Sequence, residues 1–144
     1  MDTILKISGN RKKKKFLGIC LGMQLMATKG YENNIECNGL NFINAEVKSL
    51  KKIGCNLKVP HTGWNGINVK NNNNILKNIS NVSDYYFNHS YVVEPENKDI
   101  VVSTTIHEIE FVSIINYKNI YGIQFHPEKS SNAGKTFLKN FLSL

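Results

Sequence analysis

The chain has 144 residues, of which 41% are hydrophobic and 10% aromatic, and this composition is typical of one folded domain rather than a disordered chain. No apolar run approaches the roughly 20 residues that cross a bilayer, and Met1–Asn10 lacks a secretory signal, so a cytoplasmic protein without a membrane partner is expected. Lys and Arg outnumber Asp and Glu by 18 to 11, a net charge of +7. The basic run Arg11–Lys15 has no interleaved aromatic residues and is interpreted as a solvated turn, so no nucleic-acid partner is expected.

The first predicted elements are a strand and a helix that meet at a cysteine. The apolar strand Phe16–Cys20 leads into a helix over Leu21–Lys29, whose apolar residues recur at helical spacing and which Gly30 is expected to end. Further along, Gly and Asn residues separate three short strands from one another and from a helical turn. These strands are predicted at Asn44–Lys48, Leu57–Val59 and Gly66–Lys70, and the helical turn at Ile75–Ile79.

The second half of the chain is rich in predicted strands and ends in a helix. The strands carry β-branched or aromatic residues and lie at Tyr85–His89, Ile100–Ile106, Glu110–Asn116 and Ile120–Phe125, with a hairpin loop at Tyr117–Asn119. The closing helix, Ala133–Leu142, is expected to place on one face its apolar residues Ala133, Phe137, Leu138, Phe141 and Leu142. No repeat or linker interrupts the pattern. We therefore expect a single domain over residues 1–144, of the α/β class, with a mixed sheet that carries the strand before Cys20.

The chain has three cysteines, and one of them lies in a context that indicates chemistry. Their odd number and the lack of C-x-x-C spacing favour neither a disulfide framework nor a zinc site, so no metal is expected. Cys37 and Cys55 are interpreted as ordinary packed thiols. Cys20 lies in the segment GICLG, and a nucleophile on a strained strand-to-helix turn needs such small neighbours.

Two features of this turn would suit a nucleophilic cysteine. The positive end of the following helix favours the thiolate. The backbone N–H of Leu21 can point at an oxygen that becomes negative during acyl transfer. The alternative is a buried cysteine in a tight turn without a catalytic role.

A cysteine nucleophile that attacks an amide needs a proton donor for the leaving amine, and histidine is the usual one. The chain has His61, His89, His107 and His126. Only His126 has a carboxylate in rigid local register, because Pro127 restrains it to an extended conformation and Glu128 can then fold back onto the ring. We therefore predict a catalytic triad of Cys20, His126 and Glu128.

The segments FLGICLGMQLM and GIQFHPEKSS closely resemble the two signatures of class I, or triad-type, glutamine amidotransferases. VPHTGWN and YYFNHSY are similar to segments of one branch, the glutaminase subunit of imidazole glycerol phosphate synthase in histidine biosynthesis. The resemblance implies a flavodoxin-like mixed sheet flanked by helices and hydrolysis of glutamine without metal or organic cofactor. It also implies transfer of the ammonia through a tunnel to a (β/α)₈ cyclase, the partner in a heterodimer.

The resemblance implies roles for further residues. Oxyanion or substrate binding falls to Leu21, Gly22, Gln24, His89, Ser90 and Tyr91, and contact with the cyclase to Pro60, His61, Trp64, Asn65 and Lys129. Three of these residues have simpler alternatives. His89 is alternatively a satisfied core histidine, Trp64 a core tryptophan, and Lys129 plain surface.

The sequence departs from the family before the nucleophile. Family members have a longer segment there, which supplies the first strands and a glycine-containing turn with a second N–H for the oxyanion. Here no such turn precedes Cys20, and Asp2–Ser8 is interpreted as the tail of the helix before the nucleophile strand. We therefore expect a chain that lacks the N-terminal strands. Weak or absent activity of the chain alone is also expected, since losing one oxyanion donor costs on the order of 10²–10³ in rate.

Three other functions remain open from the sequence alone. The ammonia could serve an enzyme that aminates a surface-sugar precursor. The chain could be a catalytically silent interaction module that keeps Trp64 and Lys129 as contacts. Nucleic-acid binding through Lys12–Lys15 would show itself by a steep dependence on salt.

Overall fold

The computed structural model describes residues 14–32 and 35–144, so the predicted helix tail Asp2–Ser8 and the residues before Lys14 in the basic run lie outside the described residues. The described strands are β1 (Phe16–Ile19), β2 (Lys29–Glu32), β3 (Ile35–Asn38), β4 (Ala45–Ser49), β5 (His61–Gly66), β6 (Asn68–Val69), β7 (Asp84–His89), β8 (Tyr91–Pro95), β9 (Val101–His107), β10 (Ile109–Tyr117) and β11 (Ile120–Ile123). The described helices are α1 (Leu21–Leu25) and α2 (Ser131–Ser143), with 3₁₀ turns at Asn74–Leu76, Lys98–Ile100 and Pro127–Lys129. None of the helices in these ranges is long and apolar enough to span a bilayer.

The described strands form three sheets, and the expected α/β class with a mixed sheet is confirmed. The largest sheet has the order β1-β11-β10-β9-β6, the second β3-β2-β4-β8, and the third pairs β5 with β7. β1 runs parallel to β11, whereas β10 is antiparallel to both of its neighbours. The carboxyl ends of β1 and β11 therefore meet at one edge, where Cys20 and His126 follow.

Both faces of the largest sheet are buried. On β10, the neighbouring residues Ile114 and Ile115 are fully buried in two different hydrophobic clusters, because successive side chains of a strand point to opposite faces. One cluster contains Phe137 of α2, whose ring meets that of Phe125 edge to face at 5.5 Å. The other contains Met23 of α1. The two helices thus hold the strands that carry Cys20 and His126 from opposite sides.

Most of the strongly patterned elements are confirmed within a few residues. They are the predicted strands that correspond to β4, β7, β9, β10 and β11, the closing helix α2, and the helical turn near Ile75, which is a 3₁₀ turn. The hairpin loop between β10 and β11 is the turn Lys118–Asn119. The predicted apolar face of α2 is wrong at Leu142, whose side chain is 83% exposed.

The first predicted helix is too long. α1 ends at Leu25, and Gly30, the expected cap, lies in β2 instead. The sheet captures the chain there, because the Thr28 N–H donates to the Ala45 carbonyl at 3.0 Å. Gly30 packs closely on β4 rather than capping a helix, since a Cβ added to it would lie 3.1 Å from Val47 Cβ.

Two predicted strands in the middle of the chain are also wrong or misplaced. Leu57–Val59 is a loop, because the Glu108 carboxylate accepts hydrogen bonds from the backbone N–H groups of Asn56 and Leu57 in place of a neighbouring strand. The predicted strand Gly66–Lys70 shrinks to the two residues of β6. β5 was not predicted, since Gly and Asn are poor strand formers, and pairing with the aromatic strand β7 holds it in place. The strands β2, β3 and β8 were missed as well.

Candidate active site

Cys20 occupies a strained turn between β1 and α1. Its backbone has φ 50° and ψ −106°, which is rare for a residue other than glycine, and its N–H donates to the Ile123 carbonyl at 2.7 Å. A Cβ on Gly18 would lie 2.7 Å from the backbone of Gly22, so the first glycine of the motif is required. A Cβ on Gly22 would meet no described atom within 4 Å. The predicted strand, sharp turn and helix are therefore present.

The sulfur of Cys20 lies between a carbonyl oxygen and an amide. The thiol donates to the Asn88 carbonyl at 3.8 Å, and Gln124 Nε2 donates to Sγ at 3.5 Å. Burial raises the pKa of the Cys20 thiol, and hydrogen bonds from the Leu21 N–H and the Gln124 amide only partly oppose this effect. The positive end of the following helix alone would favour the thiolate. In this structure desolvation outweighs that effect, and the protonated thiol is the resting form.

His126 is oriented by hydrogen bonds to its backbone and to its ring. The backbone N–H of His126 donates to the Tyr86 carbonyl at 2.8 Å, and its backbone carbonyl accepts from Ser130 Oγ at 2.6 Å. Nδ1 of the imidazole lies 2.9 Å from Glu128 Oε1, and an ionised carboxylate can only accept a hydrogen bond. The proton of that imidazole is therefore on Nδ1, and the lone pair of Nε2 is left to take or return a proton.

The residues of the predicted triad lie in one neighbourhood. Cys20 and His126 follow adjacent parallel strands in which Ile19 is opposite Ile123, and the charge of Glu128 acts on the Cys20 thiol. Within residues 14–32 and 35–144, the His126 ring is not among the hydrogen-bond partners of the sulfur. The histidine and the carboxylate are thus paired, while the cysteine is held by other groups.

Three of the predicted substrate-binding residues line one cleft, and one of them, Leu21, directly follows Cys20 in the chain. Leu21, Gln24 and Tyr91 border this cleft, which has a volume of about 220 Å³. Gln24 Nε2 donates to the Tyr91 carbonyl at 3.0 Å and to Gln124 Oε1 at 3.3 Å. Ser90 is half-buried next to Tyr91. The cleft therefore combines an apolar wall with a few oriented polar groups, as small-molecule sites do.

His89 and His61 form a buried pair. His89 Nδ1–H donates to the Tyr91 carbonyl at 2.9 Å, so its Nε2 must accept from His61 Nδ1–H at 3.0 Å. His61 Nε2 then accepts from the Asn65 amide at 3.3 Å. Burial lowers the pKa of His61 to about 4 and that of His89 to about 3, so both rings are neutral.

This pair bears on two predicted roles, which stay predictions. Both nitrogens of the His89 ring are occupied, which matches the alternative of a satisfied core histidine rather than a side chain that binds substrate. His61 is 5% exposed and stacks on Phe87, so its ring is not at the surface for a partner. Asn65 is half-buried and bonded to the same ring. Sequence reasoning missed the pair because it depends on the register of β5 against β7.

The remaining predicted interface residues lie at the surface. Trp64 is 53% exposed, so it is not a core tryptophan, and its ring meets Tyr86 edge to face at 6.0 Å. Lys129 Nζ lies 5.6 Å from the centroid of the same tyrosine ring. We call Trp64, Tyr86 and Lys129 the aromatic patch. Pro60 is also exposed. Tyr86 was not singled out from the sequence.

The other cysteines differ from each other. Cys55 is buried and its thiol donates to the His107 carbonyl at 3.5 Å, as expected of a packed thiol. Cys37 is exposed, so the same interpretation is wrong for it. In the part of the chain that the structure describes, no group of three or more His, Cys, Asp or Glu side chains is placed to hold a metal ion.

Comparison with curated proteins gives three representative relatives, each named imidazole glycerol phosphate synthase subunit HisH. The relative from Pelagibacter ubique is 41% identical over 132 residues, covering 92% of this chain and 63% of its own length. The Pyrococcus furiosus relative is 42% identical over 139 residues, covering 96% and 69%, and the Buchnera aphidicola relative is 46% identical over 133 residues, covering 92% and 65%. The chain therefore spans about two thirds of the length of these relatives.

Two solved structures share the fold. A Thermoplasma acidophilum protein, described as a subunit of GMP synthase, has a TM-score of 0.65 at 22% identity, over 99% of this chain and 63% of that one. A glutamine amidotransferase from Thermotoga maritima has a TM-score of 0.63 at 20% identity, over 99% and 53%. The family profile "Glutamine amidotransferase class-I" matches residues 1–144. The chain belongs to the class-I glutamine amidotransferase family.

Proposed function

We propose that the protein hydrolyses glutamine to glutamate and ammonia, with Cys20 as nucleophile, His126 as the proton carrier and Glu128 as the group that orients it. One observation carries this proposal. The strained turn at the end of β1 holds a cysteine, and the segment after the adjacent parallel strand holds a histidine whose Nδ1 is 2.9 Å from a carboxylate. Membership of the glutamine amidotransferase family supports the same chemistry.

The first half of the proposed reaction forms a thioester. Glu128 holds the proton of Nδ1, so Nε2 of His126 takes the proton from the Cys20 thiol as the sulfur attacks the side-chain amide carbon of glutamine. The N–H of Leu21 donates a hydrogen bond to the resulting oxyanion in this proposal. Collapse of this intermediate breaks the carbon–nitrogen bond, and the proton on Nε2 goes to the departing amine. Ammonia leaves and a γ-glutamyl thioester remains on Cys20.

The second half returns the enzyme to its starting form. Nε2 takes a proton from a water molecule, and the resulting hydroxide attacks the thioester carbonyl. The carbon–sulfur bond breaks, glutamate leaves, and the proton on Nε2 returns to the sulfur. The sum is glutamine plus water giving glutamate plus ammonia. Because the sulfur rests as a thiol held by Asn88 and Gln124, we propose that glutamine binding completes its approach to the imidazole.

We place glutamine in the cleft beside Cys20. Leu21, Gln24 and Tyr91 line this cleft, and Gln24 lies one helical turn after the nucleophile. Ser90 contributes from the adjoining loop, and Gly22 and His89 contribute through their backbone only. These roles are proposals that follow the family resemblance and the position of the cleft.

We propose that the ammonia passes to a (β/α)₈ cyclase subunit that binds at the aromatic patch. The relatives are named subunits of imidazole glycerol phosphate synthase, which supports a histidine-biosynthetic partner. The patch is joined directly to the catalytic histidine, because the Tyr86 carbonyl accepts the His126 backbone N–H and the Tyr86 ring is near both Trp64 and Lys129. Tryptophan and tyrosine side chains are common anchors of interfaces.

Coexpression with candidate cyclases tests this function. The proposal expects a cyclase to copurify and to form its product from glutamine, with the product lost in Cys20→Ser and restored by added ammonium salt. Trp64→Ala should weaken copurification by tenfold or more, on the order of a hot-spot residue, whereas Leu142→Ala, also an exposed apolar residue, should not. Copurification of a sugar-modifying enzyme instead would favour the alternative partner. Product formation that survives Cys20→Ser would overturn the proposal.

A further inference from the structure

A fully buried glutamine lies directly behind the nucleophile. Gln124 is 0% exposed, and its amide contacts both the Cys20 sulfur and the side chain of Gln24. We propose that Gln124 is a positioning residue for the hydrolysis, which holds the sulfur by donating a hydrogen bond and stabilises it as a thiolate. This inference rests on the proposed role of Cys20 as nucleophile.

The neighbouring groups determine which end of the Gln124 amide faces the sulfur. The Tyr91 carbonyl can only accept, so Gln24 must present its NH₂ group at 3.0 Å. The same NH₂ group lies 3.3 Å from Gln124, which must therefore present its oxygen. The NH₂ group of Gln124 is left to point at the sulfur, 3.5 Å away. The orientation is thus fixed by a carbonyl that cannot donate.

Burial of an amide in this position requires a reason. An amide that enters an apolar core without partners costs free energy, and Phe125, the next residue, is fully buried in that core. The amide oxygen and the NH₂ group of Gln124 each have a hydrogen-bond partner, and its backbone N–H donates to the Ser113 carbonyl at 2.9 Å. The residue directly after β11 is therefore a satisfied amide whose remaining donor is directed at the nucleophile.

The other groups around the sulfur do not replace this donor. The Asn88 carbonyl accepts from the thiol and so opposes the thiolate. The charge of Glu128 also opposes it, whereas Lys129 and the Leu21 N–H favour it. The imidazole of His126 lies at the end of the neighbouring strand. Among the described residues, Gln124 supplies the side-chain hydrogen bond that the sulfur accepts.

The test is the pH dependence of Cys20 alkylation by iodoacetamide, followed by mass spectrometry of the Cys20 peptide. A Cys37→Ser background removes the exposed thiol, and the buried Cys55 serves as an internal reference. Gln124→Met has similar length and no donor. It should move the midpoint of alkylation to higher pH and slow alkylation near neutral pH by about tenfold, as expected for loss of a hydrogen bond to a charged group. Gln24→Met frees the Gln124 amide to rotate and should move the midpoint in the same direction by less.

Ser113→Ala is the matched control, because it removes a buried hydrogen bond to Ser103 in the same sheet without touching Cys20. Its midpoint should equal that of the parent. A folded Gln124→Met with an unchanged midpoint, or a midpoint that moves as far in Ser113→Ala, would overturn the inference. If Gln124→Met does not fold by circular dichroism, Gln24→Met decides between the same two outcomes. Alkylation needs no glutamine, so failure of glutaminase activity and failure of this inference are separate results.

Discussion

Acidification is expected to destabilise the protein through the buried pair of His61 and His89. Their pKa values are lowered from the ordinary 6.5 to about 4 and about 3 because both rings are buried. Between these values and 6.5, the unfolded chain binds protons that the folded chain does not. Stability therefore rises with pH in this window, is fully present above about 6.5, and is lost as the pH falls below it.

The loss of unfolding free energy follows from the difference between the pH and the ordinary histidine pKa. At about pH 5.5, one unit below the ordinary histidine value, keeping one imidazole neutral costs about 1.4 kcal/mol. For two rings the loss relative to about pH 8 is about 3 kcal/mol, which is a large part of the 5–15 kcal/mol typical of domains. Hydrogen bonds lower the pKa values of Glu46, Glu108 and Glu110, whose stabilisation is lost only below about 4.5. The window above pH 5 thus isolates the histidines.

Urea unfolding followed by circular dichroism at about pH 8, 6.5 and 5.5 measures this loss. His61→Gln provides the comparison, because it removes one of the two buried imidazoles and should roughly halve the dependence on pH. An unfolding free energy that stays level from about pH 8 to 5.5 would refute the reasoning, as would an equal slope in His61→Gln.

The remaining predictions concern the triad, the turn and the core. Glu128→Gln should lower the rate of glutamate release, measured with the partner present, by on the order of 10²–10⁴ while leaving the fold intact, and an unchanged rate would contradict its orienting role. Gly18→Ala should lower the free energy of unfolding in urea by about 1–3 kcal/mol, because the new Cβ would strike the Gly22 backbone. Gly22→Ala should lower it by less than about 1 kcal/mol, and equal losses would argue against the packing described. Phe137→Ala should lower the free energy of unfolding by about 3–5 kcal/mol and Leu142→Ala by about 0.5 kcal/mol or less. The reverse order would show that the other face of α2 packs against the core.

The features that could be predicted from the sequence are local ones. The turn at Cys20 depends on neighbours within two residues, and the pairing of His126 with Glu128 spans two residues as well. The helix α2 shows the apolar periodicity of its buried face along its own sequence. Such elements need no knowledge of the sheet. Even there the prediction failed at Leu142, because periodicity does not show how far the core extends along the helix.

The features that escaped prediction depend on contacts between distant residues. His61 and His89 are 28 positions apart and meet only because β5 pairs with β7. Gln124 and Cys20 are 104 positions apart and meet because β1 lies beside β11. The early end of α1 has the same cause, because the backbone after it forms hydrogen bonds to β4 in place of bonds within a longer helix. Register and pairing order are not written in any single segment.

Covalent labelling with a glutamine analogue that carries an electrophile tests most directly whether Cys20 works in a formed glutamine site. We predict that the label is found on Cys20, that excess glutamine protects it, and that Cys20→Ser takes up none. Cys37 is a stringent comparison, because it is exposed and borders the same cleft. Equal labelling of Cys37 and Cys20, without protection by glutamine, would contradict the assignment of Cys20 as the nucleophile.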